Sequence, residues 1–288
     1  MARKSLQILL AANKDARKIA AELGALIGSA EPDTDSQTDC NQETAVMPIT
    51  ASKTVRELAV EVPNATRVFE KLGIDYCCGG QKPLAEACAE AKLSTEQVLR
   101  ALEEGTVTRV AADRDWSHAP LDELVDHIIQ KHHTYVKAEV PRLQALIARV
   151  VGVHGKNHPE LATVQAAFAA LGSELATHLM KEEQILFPYV RQMAVAGKCG
   201  PSCFGTVENP IRVMRMEHDG AGEKLREMRQ ATNNYALPAD ACFSYGTLFS
   251  SLEEFEQDLH QHIHLENNIL FPRAVALEKE CSGASGKF

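Results

Sequence analysis

The feature of this chain that most constrains its fold is one motif that occurs twice. His178-x-x-x-Glu182-x-x-Ile-Leu-Phe-Pro is followed 84 residues later by His262-x-x-x-Glu266-x-x-Ile-Leu-Phe-Pro, where x is any residue. A spacing of four residues places an imidazole and a carboxylate one turn apart on the same face of an α-helix. The chain therefore has to build the same polar helical face twice.

Each motif lies at the end of an apolar stripe whose members are three or four residues apart, the spacing of a core-facing helical surface. The first stripe contains Val164, Phe168, Leu171, Leu175, His178, Glu182 and Ile185, and the second contains Leu248, Leu252, Phe255, Leu259, His262, Glu266 and Ile269. A carboxylate buried on such a stripe costs several kcal/mol, roughly, unless it is paired or bound to a metal. Two such carboxylates in the same register predict a metal site.

Composition excludes several classes of partner. The formal net charge is −9 and the chain has no basic run, which argues against nucleic acid as a partner. No apolar stretch reaches the length of a membrane span. The eight cysteines form no evident disulfide framework, so a reducing, cytosolic setting is expected. All eleven histidines lie between positions 118 and 264, and this clustering locates the chemistry in that part of the chain.

The chain divides into three predicted segments. Residues 1–47 form an N-terminal extension and linker, residues 48–104 a small helical domain with two adjacent cysteines, and residues 105–288 a helical bundle. Helical periodicity in the last segment predicts four long helices over about 121–150, 159–195, 210–230 and 241–279. Because no strand alternation is present, we predict an all-α fold, an antiparallel four-helix bundle preceded by the small domain.

The histidine spacing predicts a duplicated half-bundle. His133 and His178 are 45 residues apart, and His218 and His262 are 44 apart. Each predicted helical hairpin then supplies a histidine from one helix and a His–Glu pair from the next. Four antiparallel helices with ligands pointing inward are a common way of building a metal pocket. On the first helix His127 and His132 compete with His133, and the spacing alone does not choose between them.

Four imidazoles and two carboxylates suit two ions of iron, manganese or zinc, with two histidines for each ion and both glutamates bridging. Such a ligand set leaves coordination positions open for a small molecule such as O2 or NO. The chain contains no Glu-x-x-His, which argues against the di-iron carboxylate pattern of ferritin-like bundles.

Two acidic residues are candidates for orienting the histidines. Glu174 lies four residues before His178, and Asp258 lies four residues before His262. Each carboxylate is placed to accept the N–H of the imidazole nitrogen that does not bind the metal. The alternative is an acid that is merely solvated beside the stripe.

Cys77 and Cys78 lie in a predicted turn, Asp75-Tyr-Cys-Cys-Gly-Gly80. Adjacent cysteines do not readily form an unstrained disulfide with each other. One interpretation is an accessible site for redox chemistry, NO or iron handling, and the other is burial as small apolar side chains. The remaining cysteines carry no specific prediction.

These motifs together resemble the iron–sulfur cluster repair di-iron proteins, also called the repair of iron centres family. The matching segments, from about residue 48 to the C-terminus, are the Asp75–Gly80 motif, Asp-His-Ile-Ile at 126–129, Met-Lys-Glu-Glu-Gln at 180–184, Glu-His-Asp at 217–219, Leu-Glu-Asn-Asn at 265–268 and both Ile-Leu-Phe-Pro blocks. The resemblance implies a hemerythrin-like bundle with two non-haem iron ions. The first 46 residues have no counterpart in this pattern.

The resemblance also implies a ligand set and a function. The ligands would be His133, His178, His218 and His262, with Glu182 and Glu266 bridging, and His133 is preferred to His132. The family implies a cytoplasmic, often dimeric protein that repairs iron–sulfur clusters damaged by nitric oxide or peroxide. Its partners would be damaged iron–sulfur proteins and small ligands such as NO or O2.

Three functions remain in competition at the level of sequence. The leading one is a repair factor that donates iron, or binds or reduces NO, at the di-iron centre. The alternative is a hemerythrin-type carrier or sensor of O2 or NO, although the His-x-x-x-His pair typical of such proteins is absent from helices one and three. A zinc-dependent hydrolase would need a general base in the pocket, and the sequence offers no candidate.

Overall fold

The computed structural model describes residues 49–107, 114–197, 199–200 and 202–284, which belong to one compact unit. The predicted extension, residues 1–47, lies outside the described residues. Within them the chain forms eight helices and no β-strand, as the all-α prediction required. No helix among the described residues combines the length and the apolarity needed to cross a membrane.

Four short helices lie in residues 49–107, which we call the small or double-cysteine domain. They are α1 (Val55–Glu61), α2 (Ala65–Leu72), α3 (Leu84–Glu90) and α4 (Thr95–Val107). Helix α1 begins at a capping box, because the Thr54 side chain accepts from the Glu57 N–H and the Glu57 carboxylate accepts from the Thr54 N–H. The domain's fully buried apolar side chains, among them Leu58, Phe69, Tyr76, Leu84 and Leu102, belong to the same hydrophobic cluster as part of the bundle core.

Four long helices form the bundle. Helix α5 contains Leu121–His127, the π-helical turn Ile128–His133 and Thr134–His154; α6 contains Glu160–Lys181, the π-helical turn Glu182–Leu186 and Phe187–Ala196; α7 is Glu208–Ala231; α8 contains Phe243–His264, the π-helical turn Leu265–Leu270 and Phe271–Ala284. These bounds confirm the four helices predicted from periodicity.

Two hydrophobic clusters show that the bundle is antiparallel, with the repeated motifs between them. Helices α5 and α7 begin in a cluster that contains Leu124 and Ile211, and they end in a second one that contains Ile147 and Leu225. Helices α6 and α8 pass between the same clusters in the opposite direction. The motif histidines and glutamates lie where each helix crosses from one cluster to the other, so they meet at mid-bundle.

The π-helical turns of α6 and α8 correct one part of the predicted stripes. Each directly precedes a Phe-Pro pair, where Pro188 or Pro272 lacks the backbone N–H and crowds the carbonyl four residues earlier, and a wider turn relieves both problems. The extra residue rotates the helix, so in α6 Leu186 is buried while Ile185, predicted to be buried, is 45% exposed.

In α8 the equivalent Ile269 remains buried because the small domain covers the turn. The Arg56 guanidinium of α1 donates to the carbonyl of Asn268, and the Asn268 amide donates to the carbonyl of Tyr76. The two halves of the repeat therefore share a sequence but differ in surroundings: one turn is covered by the double-cysteine domain and the other faces outward.

Candidate metal centre

The structure brings the six predicted ligands together in two overlapping groups. His133 and His262 form one group with both glutamates, and His178 and His218 form the other with the same two glutamates; within each group the candidate ligand atoms lie within 4.8 Å of one another. The side chains of Glu182 and Glu266 are fully buried and shared by both groups. Two cation positions bridged by two carboxylates are the arrangement expected for a dinuclear site.

The imidazole nitrogens converge in pairs. The Nε2 atoms of His133 and His262 are 3.2 Å apart, and those of His178 and His218 are 3.1 Å apart. Glu182 Oε2 lies 3.4 Å from Nε2 of both His133 and His178, so one carboxylate oxygen approaches both pairs. Two imidazole nitrogens this close together could bind the same ion, because metal–nitrogen distances are about 2.0–2.1 Å.

Three of the four histidines are oriented by partners on other helices. The Nδ1 atom of His133 lies 2.7 Å from Glu183 Oε1, and that of His178 lies 2.9 Å from Glu217 Oε2. His218 Nδ1 lies 3.0 Å from Asn267 Oδ1. A hydrogen bond donated from Nδ1 leaves the Nε2 lone pair directed into the site, which is the tautomer a metal requires.

These contacts correct the prediction for Glu174 and Asp258. The carboxylate beside His178 is Glu217 rather than Glu174, and Asp258 lies 2.9 Å from Nδ1 of His132 rather than beside His262. An imidazole that points to the bundle axis turns its Nδ1 toward the neighbouring helix, out of reach of an acid one turn back on its own helix. The sequence did contain one signal for these partners, which is that each is the chain neighbour of a candidate ligand. Glu217 directly precedes one ligand, and Glu183 directly follows another.

The structure shows which of the three histidines on α5 faces the other candidate ligands. His133 Nε2 faces His262, whereas His132 is turned toward Asp258 and stacks parallel to the His262 ring, with centroids 5.5 Å apart. His127 packs against Trp116, with ring centroids 4.3 Å apart. Only His133 of the three belongs to a group of converging ligand atoms among the described residues.

The two shared carboxylates are electrostatically costly unless positive charge is present. Without a bound cation, burial and the charge of Glu266 raise the pKa of Glu182 to about 8. Burial acts on Glu266 in the same direction, but the surrounding imidazoles, His262 foremost, outweigh it and hold its pKa well below the usual range. Two adjacent carboxylates in a buried site cannot both ionise unless cations compensate them.

Within each pair of imidazoles, one has a raised pKa and the other has a lowered pKa. Burial lowers the pKa of His133, but its contacts with the two glutamates outweigh burial and raise it to about 10. Burial also lowers the pKa of His218, but the contact with Glu266 outweighs burial and raises it to about 9. Burial, followed by the charge of His218, lowers the pKa of His178 to about 4, and burial lowers that of His262. Within each pair one imidazole therefore favours the protonated form and the other the neutral form, so positive charge is favoured at one member of each pair.

Unpartnered polar atoms show that a metal fits these residues. Glu182 Oε1 and Oε2, Glu266 Oε2 and His262 Nδ1 are buried without a hydrogen bond of normal geometry. Leaving a buried polar atom unpaired costs about 1–3 kcal/mol, and three of these four atoms are carboxylate oxygens facing the site. The donor set of four imidazoles and two carboxylates is one that iron, manganese and zinc accept.

A small cavity adjoins the centre. Its volume is about 20 Å³, and it is bordered by His178, His218, His262 and by apolar side chains that include Leu175 and Ala221. A cavity needs about 10–15 Å³ to hold one water-sized molecule. The space next to the imidazoles therefore admits a molecule of two or three atoms and excludes a larger organic substrate.

Cys77 and Cys78 lie against the helices that carry the centre. Cys78 Sγ is 3.5 Å from the carbonyl oxygen of His218, and Cys77 accepts, through its carbonyl, a 3.1 Å hydrogen bond from the Asn267 amide. Cys77 is buried and Cys78 is half-buried. Its hydrogen bond with Cys78, followed by burial, raises the pKa of the Cys77 thiol well above its ordinary value.

Comparison with known proteins gives two domain matches. Residues 124–274 match the hemerythrin HHE cation binding domain, and residues 51–105 match a domain of unknown function (DUF542). The first match contains all six residues of the centre, and the second contains the double-cysteine turn.

Relatives align with nearly their whole length. A protein of Haemophilus influenzae named "Probable iron-sulfur cluster repair protein" is 39% identical over 226 residues, covering 78% of this chain and 97% of the relative. Proteins of Citrobacter koseri and Escherichia coli named "Iron-sulfur cluster repair protein YtfE" are each 38% identical over 222 residues, covering 77% of this chain and 96% of the relative.

Proposed function

Because this chain belongs to the iron–sulfur cluster repair family of hemerythrin-type proteins, we propose that it repairs iron–sulfur clusters damaged by nitrosative or oxidative stress. The repair depends on two non-haem iron ions held by His133, His262, His178 and His218. Glu182 and Glu266, which belong to both groups, would hold both ions. The observation that carries this proposal is the pair of four-residue groups that share both buried carboxylates.

The protein's own residues define what such a centre does. Glu183, Glu217 and Asn267 hold three imidazoles with their Nε2 lone pairs directed inward. The bound iron would supply both an open position for NO or O2 and a store of ferrous ions. With six protein ligands for two ions, neither ion is saturated, and this supports exchange rather than permanent structural binding.

The macromolecular partners and the cellular compartment follow from the same proposal. Damaged iron–sulfur proteins are the macromolecular partners, as the names of the relatives suggest. Among the described residues Cys77, Cys78, Cys88, Cys199, Cys203 and Cys242 are free thiols, which supports action in a reducing compartment such as the cytoplasm. A homodimer is part of the proposal and is tested by sedimentation of the full chain.

The size of the cavity leads to a prediction about NO. Replacing Ala221 with leucine should fill the space beside the imidazoles while leaving all six ligands in place. Since overpacking costs about 1–3 kcal/mol, the affinity for NO should fall by about tenfold or more. NO titration of the reduced, iron-loaded protein measures this. Ala176→Leu, at an exposed position of α6, is the matched control and should bind NO normally. Unchanged NO affinity in Ala221→Leu would show that the ligand does not use this cavity.

The experiment that tests the function incubates reduced, iron-loaded protein with an NO-damaged iron–sulfur protein and follows recovery of cluster absorbance. The wild type should restore the cluster, and Glu182→Leu/Glu266→Leu should not. Gas analysis in the same vessel separates two routes: nitrous oxide indicates NO reduction, and iron loss without gas indicates donation. Absence of any cluster recovery, together with a reversible oxygenated spectrum, would support an O2 carrier or sensor instead.

A further inference from the structure

A second group of potential ligands lies outside the centre, in the double-cysteine turn. One carboxylate oxygen of Asp75 and the sulfurs of Cys77 and Cys78 lie within 4.8 Å of one another. The two sulfurs are 3.8 Å apart. The turn is held in shape by Asp75 Oδ1, which accepts from the backbone N–H groups of Cys77 at 3.1 Å and Cys78 at 2.9 Å. The second oxygen, Oδ2, lies 3.9 Å from the Arg226 guanidinium.

Two glycines directly after these thiols keep the turn tight. A Cβ atom at Gly80 would lie 2.8 Å from the carbonyl oxygen of Tyr76, and one at Gly79 would lie 3.2 Å from the Asp75 carboxylate. A side chain at either position would therefore displace the backbone or the carboxylate. The sequence Cys-Cys-Gly-Gly thus brings two sulfurs and one carboxylate together within a single turn.

A single residue, Asn267, connects the turn to His218 of the dinuclear centre. The Asn267 amide donates to the carbonyl of Cys77 while its oxygen accepts from Nδ1 of His218, whose Nε2 faces the centre. On the other side, Cys78 Sγ contacts the carbonyl of the same histidine at 3.5 Å. The ligands of the two groups are therefore connected through His218.

The opposite side of the turn borders a wide groove. The groove has a volume of about 1060 Å³ and lies between the small domain and helices α7 and α8. Asp75, Cys77 and Cys78 all line it, as do charged side chains such as Arg229 and Glu253. The double-cysteine turn thus lies between a buried centre and a space large enough to admit part of another protein.

We propose that Asp75, Cys77 and Cys78 form a transfer site for one ferrous ion moving between the dinuclear centre and a protein docked in the groove. Binding replaces two S–H protons with two Fe–S bonds and releases both protons, and the oxidation state of the iron does not change. Three ligands leave room for a fourth from the acceptor, which allows the ion to be passed on. The transfer role rests on the proposed iron donation, whereas binding of an ion by these three residues does not.

The geometry favours a shared cation over a disulfide. Neighbouring cysteines form a disulfide only with strain, and the two sulfurs here are 3.8 Å apart with a carboxylate beside them. Thiolate and carboxylate together provide a site that ferrous iron and zinc both accept.

The test uses the full chain, loaded in the absence of air with only the two ferrous ions per chain that the bundle takes, and then titrated with Co(II). The wild type should bind one additional cobalt ion per chain and show thiolate-to-cobalt charge-transfer absorption. Cys77→Ser/Cys78→Ser should lose this absorption and keep the iron of the bundle. Its rate of iron transfer to an apo iron–sulfur protein should fall at least about tenfold, which is about 1.4 kcal/mol in the barrier. Cys203→Ser, which removes an exposed thiol elsewhere, is the matched control and should behave as wild type.

Each outcome decides between the alternatives. Absence of the absorption in the wild type, or its persistence in the double variant, overturns the site. Loss of the absorption with an unchanged rate of transfer overturns the transfer role. A chain that binds no iron in the bundle contradicts the proposed function, and the cobalt absorption then tests the thiol site on its own.

Discussion

Replacing both Glu182 and Glu266 with leucine is expected to abolish metal binding and, at the same time, to make the metal-free protein more stable. Both carboxylates are fully buried, and three of their four oxygens have no hydrogen-bond partner of normal geometry. Replacing a buried charged group of this kind by an apolar residue of similar volume stabilises a protein by about 1–4 kcal/mol. Metal binding compensates this cost in the wild type.

Bound metal should make the wild type more stable than the double variant. At a free ferrous concentration about 1,000 times the dissociation constant, binding stabilises the native state by about 4 kcal/mol for each site. The wild type gains this stabilisation and the double variant gains none, because both ions lose their shared ligands. Urea unfolding with and without ferrous iron measures the free energy of unfolding in all four cases.

A variant of a nearby acid separates this effect from a general response to lost charge. Glu174→Leu changes an exposed acid on the same helix and should bind iron like the wild type. Retention of iron by Glu182→Leu/Glu266→Leu would contradict the assignment of these residues as bridging ligands. A metal-free double variant less stable than the wild type would contradict the argument from buried charge.

Removing the Glu217 carboxylate is expected to weaken metal binding by about 10–100-fold, the usual effect of losing a partner that orients a ligand histidine. Glu217 accepts from Nδ1 of His178 and also pairs with Lys181, so it fixes both the ring and its tautomer. In Glu217→Ala the ring is free to rotate, and its Nε2 then carries the proton in part of the population.

Glu174→Ala is the matched control for this prediction, because the sequence alone offered Glu174 as one possible partner of His178. Competition with a chelator at fixed pH measures the affinity of both variants. Equal weakening in both, or in neither, would show that the His178–Glu217 contact does not govern the metal. The same assay on Glu183→Ala examines His133, whose Nδ1 has an equivalent partner.

Sequence periodicity was sufficient for the helices and for five of the six candidate ligands, whereas the choice of His133 over His132 depended on the resemblance to the repair family. Positions three and four residues apart share a face in any α-helix, and a His-x-x-x-Glu repeated on an apolar face buries two carboxylates that need a compensating charge. In α7, Met214, His218 and Leu225 lie on one helical face and are all buried. The role of the six residues as ligands remains a prediction that metal analysis has to test.

What the sequence did not reveal depends on departures from the regular helix and on contacts between helices. The π-helical turns shift the register by one residue and expose Ile185, and no three-or-four spacing anticipates this change. The partners of the histidines are set by the rotation of one helix against its neighbour, which placed Glu217 rather than Glu174 beside His178. Asn267 is held beside His218 because the small domain packs on α8, and this contact joins segments that are distant in the chain.

The most direct test of the central claim is the metal content and Mössbauer spectrum of the full chain purified without air. We expect two iron ions per chain, in environments made of nitrogen and oxygen ligands, and no iron in Glu182→Leu/Glu266→Leu. A wild-type chain that contains no metal, or only one ion, and that folds equally well with leucine at both positions would contradict the account.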